Sequence, residues 1–465
     1  MARKSAASLD ALILLGAEKL AQVILDEAET NPSFRKRVTA ALVSTKGPDA
    51  VAKLIDRRLA ALERARAMVA WEKERAFAED LGATVETITK ELGPLSPVHA
   101  VQRLLRFVDS HGSVFDRIDD SNGRIQDVYW QASEAIPDFV GKLPPEELAR
   151  LPERLQVSLG KDTHGLAPRI GIAVAPLLPE TVLAAWDAML QKHDDAAGFV
   201  EIRQAIADAR GDLDEFLALE VRRPEWRQEP LKAAERLLAA NRLDEALLWV
   251  RREKKGGVAF ATESDIADGR INRVHDLERV RLEARILEAM KDRPAAQALR
   301  WAAFEATLDA DILRDYIRKL DDFIEDEEQD RAFAVAAASP HPYTALAFFI
   351  AWPRLDLASK LVLEKREFWD GRHYGALGDS AAALEEDFPL AATVLYRVLL
   401  NAILARAKSP AYGHGARYLA KLGELGERIP EDSGLENHAT YFLGLKKAHG
   451  RKVGFWSIVD GKNRA

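Results

Sequence analysis

Apolar residues recur at intervals of three and four along most of the chain, and this spacing predicts α-helices. Clear examples are the apolar faces of residues 9–24, 51–62 and 98–108. Because side chains three and four positions apart lie on the same side of a helix, each face can pack against a core. No segment alternates apolar and polar residues for long, so the pattern argues against strands. We therefore expect a chain that is at least about 60% helical, with at most two short strands.

Proline and glycine interrupt the helical pattern at regular intervals. Proline is tolerated in the first turn of a helix, where its missing amide hydrogen has no partner anyway, so these breaks mark helix boundaries. The breaks lie at Asn31-Pro32, Gly47-Pro48, Gly93-Pro94, Leu143-Pro144-Pro145, Gly160, Gly211, Arg223-Pro224 and Arg293-Pro294. They predict about twenty helices, mostly of about 10–20 residues. The uninterrupted stretch 48–81 predicts one long helix or two that meet at a kink.

Two segments have the pattern of a helical hairpin. In residues 237–249, the small residue Asn241 ends one helix and Asp244-Glu245-Ala246 begins the next; a second hairpin follows in residues 286–301. The pattern Ala-Leu-x-Trp occurs in both, 52 positions apart, which exceeds the ~34 residues of a tetratricopeptide repeat. Such hairpins bury their apolar faces only by stacking on neighbours. We predict an all-α protein, an α-solenoid of stacked helical hairpins of tetratricopeptide or HEAT type, with chance similarity among alanine- and leucine-rich helices as the alternative.

The break at Leu143-Pro144-Pro145 divides the chain into two predicted sections. Proline disfavours helix in the residue before it and cannot continue a helix from the preceding turn. We expect an N-terminal helical section over residues 1–145 and a helical-repeat array with a basic C-terminal tail over residues 146–465. Two further stretches, 254–270 and 368–375, have the composition of loops. Limited proteolysis is expected to cut first at the break or in the first of these loops.

Composition excludes several classes of protein. The 465 residues are 48% apolar and 30% charged, too apolar for a disordered chain. Without cysteine there is no disulfide, no thiolate metal site and no cysteine nucleophile. No window of about 18 uncharged apolar residues occurs, so we expect no membrane span, and the N-terminal helix lacks the clean apolar core of a signal peptide. These features favour a cytoplasmic protein of bacterial type.

The balance of charge argues against a nucleic-acid partner. The 66 basic and 74 acidic side chains give a net charge of −8, whereas a nucleic-acid binder needs a clustered basic face. Basic residues do gather near the C-terminus, and weak nucleic-acid binding there stays open as an alternative. These residues are Lys446, Lys447, Arg451, Lys452, Lys462 and Arg464.

The familiar motifs of catalysis and nucleotide binding are missing from the sequence. It has no G-x-x-x-x-G-K-[ST], G-x-G-x-x-G, G-x-S-x-G, H-E-x-x-H or calcium-loop pattern. None of the ten histidines is three or four positions from another, so no single helix offers a two-histidine metal face. We therefore predict no cofactor and no metal, and we keep an enzyme only as an alternative.

The last third of the chain holds the densest group of aromatic, histidine and arginine residues. Arginine offers a planar fork to carboxylate or phosphate, and aromatic rings add apolar area with a polar tip. A concave pocket lined by such residues suits an anionic ligand or an acidic peptide. The candidate ligand- or partner-binding residues are Tyr412, His414, Arg417, His438, His449, Arg451, Trp369 and His373. The competing interpretation is ordinary packing and helix capping.

The sequence predicts a cluster of a hydroxyl, an imidazole and a guanidinium group at the start of one helix. Tyr412-Gly413-His414-Gly415 follows directly after Ser409-Pro410, and its glycines let the backbone turn tightly or approach a ligand closely. Arg417 comes three residues after His414 and so lies on the same side of the helix. Unpaired amide hydrogens at a helix start favour an anion. We expect Tyr412, His414, Arg417 and Arg451 at or near one groove on the inner face of the array.

Several segments carry a resemblance to a known family. They are residues 388–397 and 405–419, then Glu436-Asn437-His438, His449-Gly450-Arg451-Lys452 and Phe455-Trp456. In these segments the chain resembles an uncharacterised bacterial family, a domain of unknown function whose members are all-helical and tetratricopeptide-like. It is also similar to the helical C-terminal parts of some SWIM zinc-finger proteins, but it lacks the cysteine ligands of that zinc site. The resemblance, best over residues 231–456, implies the fold and assigns no activity.

Three hypotheses about function follow. The leading one is a non-enzymatic helical-repeat scaffold that binds a protein or peptide partner on its concave face. The first alternative is an enzyme with an unrecognised helical active site around Tyr412, His414 and Arg417, with His438 and His449 as further proton-transfer groups. It requires at least three of these side chains to converge on one cavity. The second alternative is weak nucleic-acid binding through the basic C-terminal end.

Overall fold

The computed structural model of the chain describes residues 8, 12–193, 197–253, 277–321 and 324–462. Its helix content is 76%, and no strand occurs in those ranges. The helices pack in neighbouring pairs. The predicted all-α class and helix content are confirmed, whereas the loop predicted at residues 254–270 lies outside the described residues.

Two compact units make up the chain, residues 1–228 and 229–465. Each has a hydrophobic core of its own, built from residues between Val51 and Ile206 in the first and between Val280 and Trp456 in the second. The units divide the chain at residue 228, not at the proline break chosen from the sequence. Leu143-Pro144-Pro145 is a helix start inside the first unit, because Val140 before it and Leu151 after it contribute to the same core.

The first unit is built from short helices joined by tight turns. Several begin with a proline at the first or second helical position: Pro32, Pro48 and Pro145 lie at predicted breaks, whereas the helix predicted near Gly93-Pro94 begins at Pro97. The helices are α1 (Ala17–Thr30), α2 (Pro32–Ser44), α3 (Pro48–Arg64), α4 (Glu74–Glu86), α5 (Pro97–Val108), α6 (His111–Phe115), α7 (Arg124–Glu134), α8 (Ile136–Val140), α9 (Pro145–Leu159), α10 (Leu166–Val174), α11 (Glu180–Leu190), α12 (Ala197–Ala209) and α13 (Leu213–Arg222). A π-helical segment, Thr87–Leu92, continues α4.

The stretch 48–81 contains two helices, as one of the two predicted alternatives had it, but residues 65–73 separate them and they do not meet at a kink. The chain leaves α3 at Ala65, whose backbone is extended (φ −66°, ψ 135°). Tertiary hydrogen bonds hold the break: the Arg117 guanidinium donates to the Ala67 carbonyl (3.1 Å), and the Val69 amide donates to the Arg117 carbonyl (2.9 Å). These bonds satisfy backbone groups that a continuous helix would have paired internally.

The second unit is a succession of helices that pack mainly against their neighbours in sequence. Most of these helices bury one face against the next helix in sequence. Some contacts skip one helix: for example, α20 also contacts α22, and α21 also contacts α23. The helices are α14 (Pro230–Ala239), α15 (Leu243–Val250), α16 (Leu277–Ala289), α17 (Arg293–Thr307), α18 (Ala310–Ile317), α19 (Glu325–Ala337), α20 (Pro342–Ala351), α21 (Leu355–Glu364), α22 (Tyr374–Leu384), α23 (Pro389–Ala405), α24 (Tyr412–Gly426), α25 (His438–His449) and α26 (Val453–Lys462).

In the described ranges, five helix–helix turns close with the same hydrogen bond. In each, an amide donates to the carbonyl five residues earlier, the Schellman closure that satisfies carbonyls at a helix end. The bonds run from Asp212 to Ala207 (2.8 Å), Arg242 to Leu237 (2.8 Å), Asp292 to Leu287 (2.9 Å), Arg354 to Phe349 (2.9 Å) and Lys408 to Ile403 (3.3 Å). At four of them the residue before that amide is left-handed, with φ of 69° at Gly211, 58° at Asn241, 66° at Lys291 and 51° at Ala407. Both hairpins predicted from the sequence are in this set, and three were missed.

Candidate functional site

A cavity of about 280 Å³ lies where α22, α23 and α24 meet in the second unit. Aliphatic side chains of α23 and two tyrosine rings supply apolar walls, and basic groups from the turn between α23 and α24 line one side. The lining residues are Gly371, Tyr374, Leu399, Ala402, Ile403, Arg406, Lys408, Ala411, His414 and Tyr418. No acidic side chain is among these residues.

The turn after α23 explains the position of the basic groups. Ala407 adopts a left-handed conformation, and the Lys408 amide closes the turn on the Ile403 carbonyl. A 3₁₀ turn, Ser409–Ala411, then leads directly into α24. This tight reversal places Arg406 and Lys408, both exposed, beside His414 in the first turn of α24.

Gly371 allows a loop to touch the backbone of α23. A Cβ at this position would lie 2.4 Å from the Ala402 Cβ and 2.7 Å from the Val398 carbonyl oxygen. Both distances are shorter than van der Waals contact permits, so a residue with a side chain would push the loop away. Close backbone approach is what glycine provides here.

His414 and Arg417 are in contact, as their spacing predicted. Nη2 of Arg417 lies 2.8 Å from Nδ1 of His414. Because a guanidinium can only donate, Nδ1 is the acceptor in this hydrogen bond. Both side chains are exposed, and the histidine lines the cavity.

Tyr412 has a different role from its neighbours. It is 9% exposed, and its ring packs edge-on against Phe455 of α26 with 5.8 Å between centroids and 74° between planes. Its position joins the start of α24 to α26, so the packing interpretation fits this residue.

His438 begins α25 and packs against α24. A Cβ built on Gly426 would lie 2.9 Å from the His438 Cβ. Beside it, the Arg397 guanidinium lies 4.2 Å from the centroid of the Tyr441 ring and donates to the Glu436 carbonyl (2.6 Å). Burial, and then the charge of Arg397, lower the pKa of His438 below its ordinary value. The ring is therefore neutral near pH 7 and does not offer positive charge to a ligand.

His449 and Arg451 lie at the turn between α25 and α26. The His449 carbonyl accepts a hydrogen bond from Nε1 of Trp456 (2.9 Å), and burial followed by the charge of Lys452 lowers the pKa of His449. Arg451 is exposed and is not among the lining residues of the cavity.

Trp369 and His373 fix the loop before α22. Both are 6% exposed. Nε1 of Trp369 donates to the Val362 carbonyl (3.1 Å), and the His373 ring lies 4.1 Å from the Tyr343 ring at 33°. The Tyr343 hydroxyl also accepts the Asp370 amide (2.8 Å). These contacts position Gly371 and Tyr374, which line the cavity. Trp369 and His373 are buried beside them and are not part of the lining.

The site thus contains part of the predicted set and residues that sequence reasoning missed. His414 and Arg417 come together, whereas the contacts of Tyr412, His438 and His449 lie elsewhere among the described residues. Two of the five groups of the enzyme hypothesis are joined by a hydrogen bond, and that hypothesis needs three at one cavity. The missed residues are Tyr374, Arg406, Lys408 and Tyr418. Recognising the closed turn at 403–408 would have placed Arg406 and Lys408 beside His414.

Metal clusters and membrane-spanning helices are both missing from the described part of the chain. In the described ranges, no group of three or more histidine, aspartate and glutamate side chains is arranged to hold a metal ion. None of the helices in those ranges has the length and apolar character needed to cross a bilayer.

Comparison with known proteins gives a family but no activity. Curated proteins show no match to the chain. A family model described as a family of unknown function (DUF6880) matches residues 2–201 and 190–458. Since these matches cover most of the chain, the protein belongs to this family of unknown function.

Proposed function

We propose that the protein is a non-enzymatic helical-repeat scaffold, an α-solenoid of stacked hairpins, that binds an acidic peptide segment of a protein partner. The cavity between α22, α23 and α24 carries the proposal, because it combines an apolar wall with a basic rim. An apolar side chain of the peptide enters the cavity, and carboxylates beside it meet Arg406, Lys408 and the Arg417–His414 pair.

Charge complementarity selects the partner's chemistry. The lining carries Arg406 and Lys408 and no carboxylate, so a basic partner would be repelled and an acidic one attracted. Guanidinium groups bind carboxylates through parallel charge-assisted hydrogen bonds. Full burial of a leucine-sized anchor contributes about 1.5–3 kcal/mol, enough to make the anchor as important as the charge.

The recurring hairpin turns support the stacked-hairpin part of the proposal. Four of the five Schellman-closed turns lie in the second unit, and each joins helices that pack on one another. Arrays of such hairpins offer extended surfaces to protein partners. Binding by a surface of this kind needs none of the catalytic motifs that the sequence lacks.

A peptide array tests the proposal. We expect peptides with a leucine flanked by glutamates to bind, and the same peptides with glutamines to bind more weakly. The double variant Arg406→Gln/Lys408→Gln should lose at least about tenfold in affinity by fluorescence polarisation, because charged hydrogen bonds are lost. Lys447→Gln removes an exposed charge outside the cavity of the same unit and should bind like the original chain.

A second variant separates the cavity from the charge. Ala411→Phe fills the cavity and leaves every basic group in place. It should weaken the leucine-containing peptides and leave the melting temperature unchanged. Equal binding of the glutamate and glutamine peptides, or undiminished binding by both variants, would contradict the proposal.

A further inference from the structure

A second cavity, of about 300 Å³, lies inside the first unit. Helices α2, α3 and α4 form its sides. The lining residues differ in their exposure to solvent. The side chains of Lys36 and Asp80 are 44% and 42% exposed, whereas Arg117 and Phe107 as whole residues are 7% and 0% exposed. A charged pair therefore stands at the opening, and a guanidinium and an aromatic ring lie at the bottom.

The charges lining this cavity do not balance. Its cations are Lys36, Arg58 and Arg117, and Asp80 is the one carboxylate in the lining. Asp80 already forms an ion pair with Lys36. Arg58 and Arg117 thus line a cavity whose remaining walls are apolar apart from Thr84, with Phe77, Leu62 and Leu81 among them.

Arg117 is buried without a carboxylate partner in the described part of the chain. Its Nε donates to the Ser113 carbonyl (2.9 Å) and its Nη1 to the Ala67 carbonyl (3.1 Å). Nη2 is buried and has no hydrogen-bond partner among the described residues. The guanidinium also lies over the Phe77 ring, 5.8 Å from its centroid. A buried charged donor left unpaired is costly, and a bound anion would remove that cost.

Arg58 is held only loosely on the other side. Nη1 is 3.3 Å from the Thr87 hydroxyl and Nη2 is 3.5 Å from the Lys36 carbonyl, both long for hydrogen bonds of a charged group. Thr87 begins the π-helical segment that continues α4, and such segments are frequent at functional sites. Burial lowers the pKa of Arg58, and Asp80 opposes this shift. Burial therefore outweighs the attraction of Asp80, and the charge of Arg58 is only partly compensated.

We propose that this cavity is a binding site for a small organic anion with an apolar body. The oxyanion head meets the guanidinium groups of Arg58 and Arg117, and the body packs against the aromatic and aliphatic walls. The volume lies at the small end of ligand sites, which matches a body of one ring. Carboxylates and phosphate esters share this head-group chemistry, and the binding experiment separates them.

Isothermal titration calorimetry on the full chain tests the site with benzoate and phenyl phosphate. We expect saturable binding of at least one probe, and the tighter one identifies the head group. Arg58→Gln should weaken it at least about tenfold, because a charge-assisted hydrogen bond is lost. Arg57→Gln is the matched control, an exposed arginine next to it on α3 that does not line the cavity.

Further controls separate the contributions of the charge, the ring and the cavity. Benzyl alcohol lacks the charge, and acetate lacks the ring, so both should bind at least about tenfold more weakly. Ala61→Phe narrows the cavity without removing a charge and should weaken the probe even where Arg58→Gln fails to fold. Arg406→Gln, in the other unit, should leave the titration unchanged, so the two proposals fail independently. No heat from either probe, equal binding of benzyl alcohol, or full affinity in Ala61→Phe would overturn the site.

Discussion

Among single residues, His438 links the stability of the second unit to pH. Its folded-state pKa lies below the ordinary value of 6.5, so the unfolded chain binds a proton that the folded chain does not. This contribution to stability is fully present above pH 6.5 and is lost as pH falls through the folded-state pKa. We expect the free energy of unfolding to fall between about pH 7 and pH 5, and to fall less in His438→Gln.

Urea titrations at both pH values measure this difference. The pKa of His449 is also lowered, so this histidine affects stability over the same pH range. The pH response of His449→Gln is therefore compared with that of His438→Gln. An identical pH response in the original chain and in His438→Gln would show that the histidine is not held neutral.

Tyr316 shows the opposite dependence at alkaline pH. Burial and the hydrogen bond to Glu328 (2.8 Å) raise the pKa of Tyr316 to about 12. Its contribution is fully present below pH 10 and is lost as pH rises through about 12. Tyr316→Phe should cost about 1 kcal/mol of unfolding free energy near neutral pH through the lost hydrogen bond, and should flatten the alkaline decline. Chemical denaturation at rising pH measures both, and a decline as steep in the variant would contradict the assignment.

At the scale of the helices, the turns between them contain residues with left-handed backbone conformations. Lys291 has a φ of 66°, a conformation that costs a residue with a side chain about 1 kcal/mol. Lys291→Gly should therefore raise the free energy of unfolding by about 0.5–1 kcal/mol. Gly211→Ala, at φ 69° in the first unit, should lower it by about as much. Guanidinium titrations measure both changes, and a loss of stability in Lys291→Gly would argue against the left-handed turn.

The elements that sequence could predict are those encoded locally. Periodic apolar faces gave the all-α class, and a small or polar turn residue such as Asn241 gave the hairpins. The turn at Ala407 lacks a glycine or asparagine, the residues that favour a left-handed conformation, and the break after Ala65 depends on hydrogen bonds from Arg117, far along the chain. The site divides in the same way: His414 and Arg417 are neighbours on one helix, whereas Tyr374 joins them through tertiary packing.

Each of the two units has a large hydrophobic core among the described residues, and each core should respond to its own mutation. Trp186 is fully buried in the first core and Phe348 is 2% exposed in the second. Replacing a buried aromatic residue by alanine costs about 3–5 kcal/mol. In Trp186→Ala, amide hydrogen exchange should rise across α3–α12 and stay unchanged in α17–α24. Phe348→Ala should give the reverse pattern, and an equal rise in both units after either change would contradict separate cores.

Packing between neighbours in sequence has a consequence for how the second unit acquires its structure. In its described residues, most neighbouring helices are joined by turns of a few residues, so their contacts close short loops and lose little chain entropy. Proteins with such low contact order fold in about microseconds to milliseconds, far faster than about 5–20 residues per second emerge from a ribosome. Each hairpin can therefore form while the next is being synthesised, and the α22–α24 cavity is completed only after the hairpins that precede it in the chain.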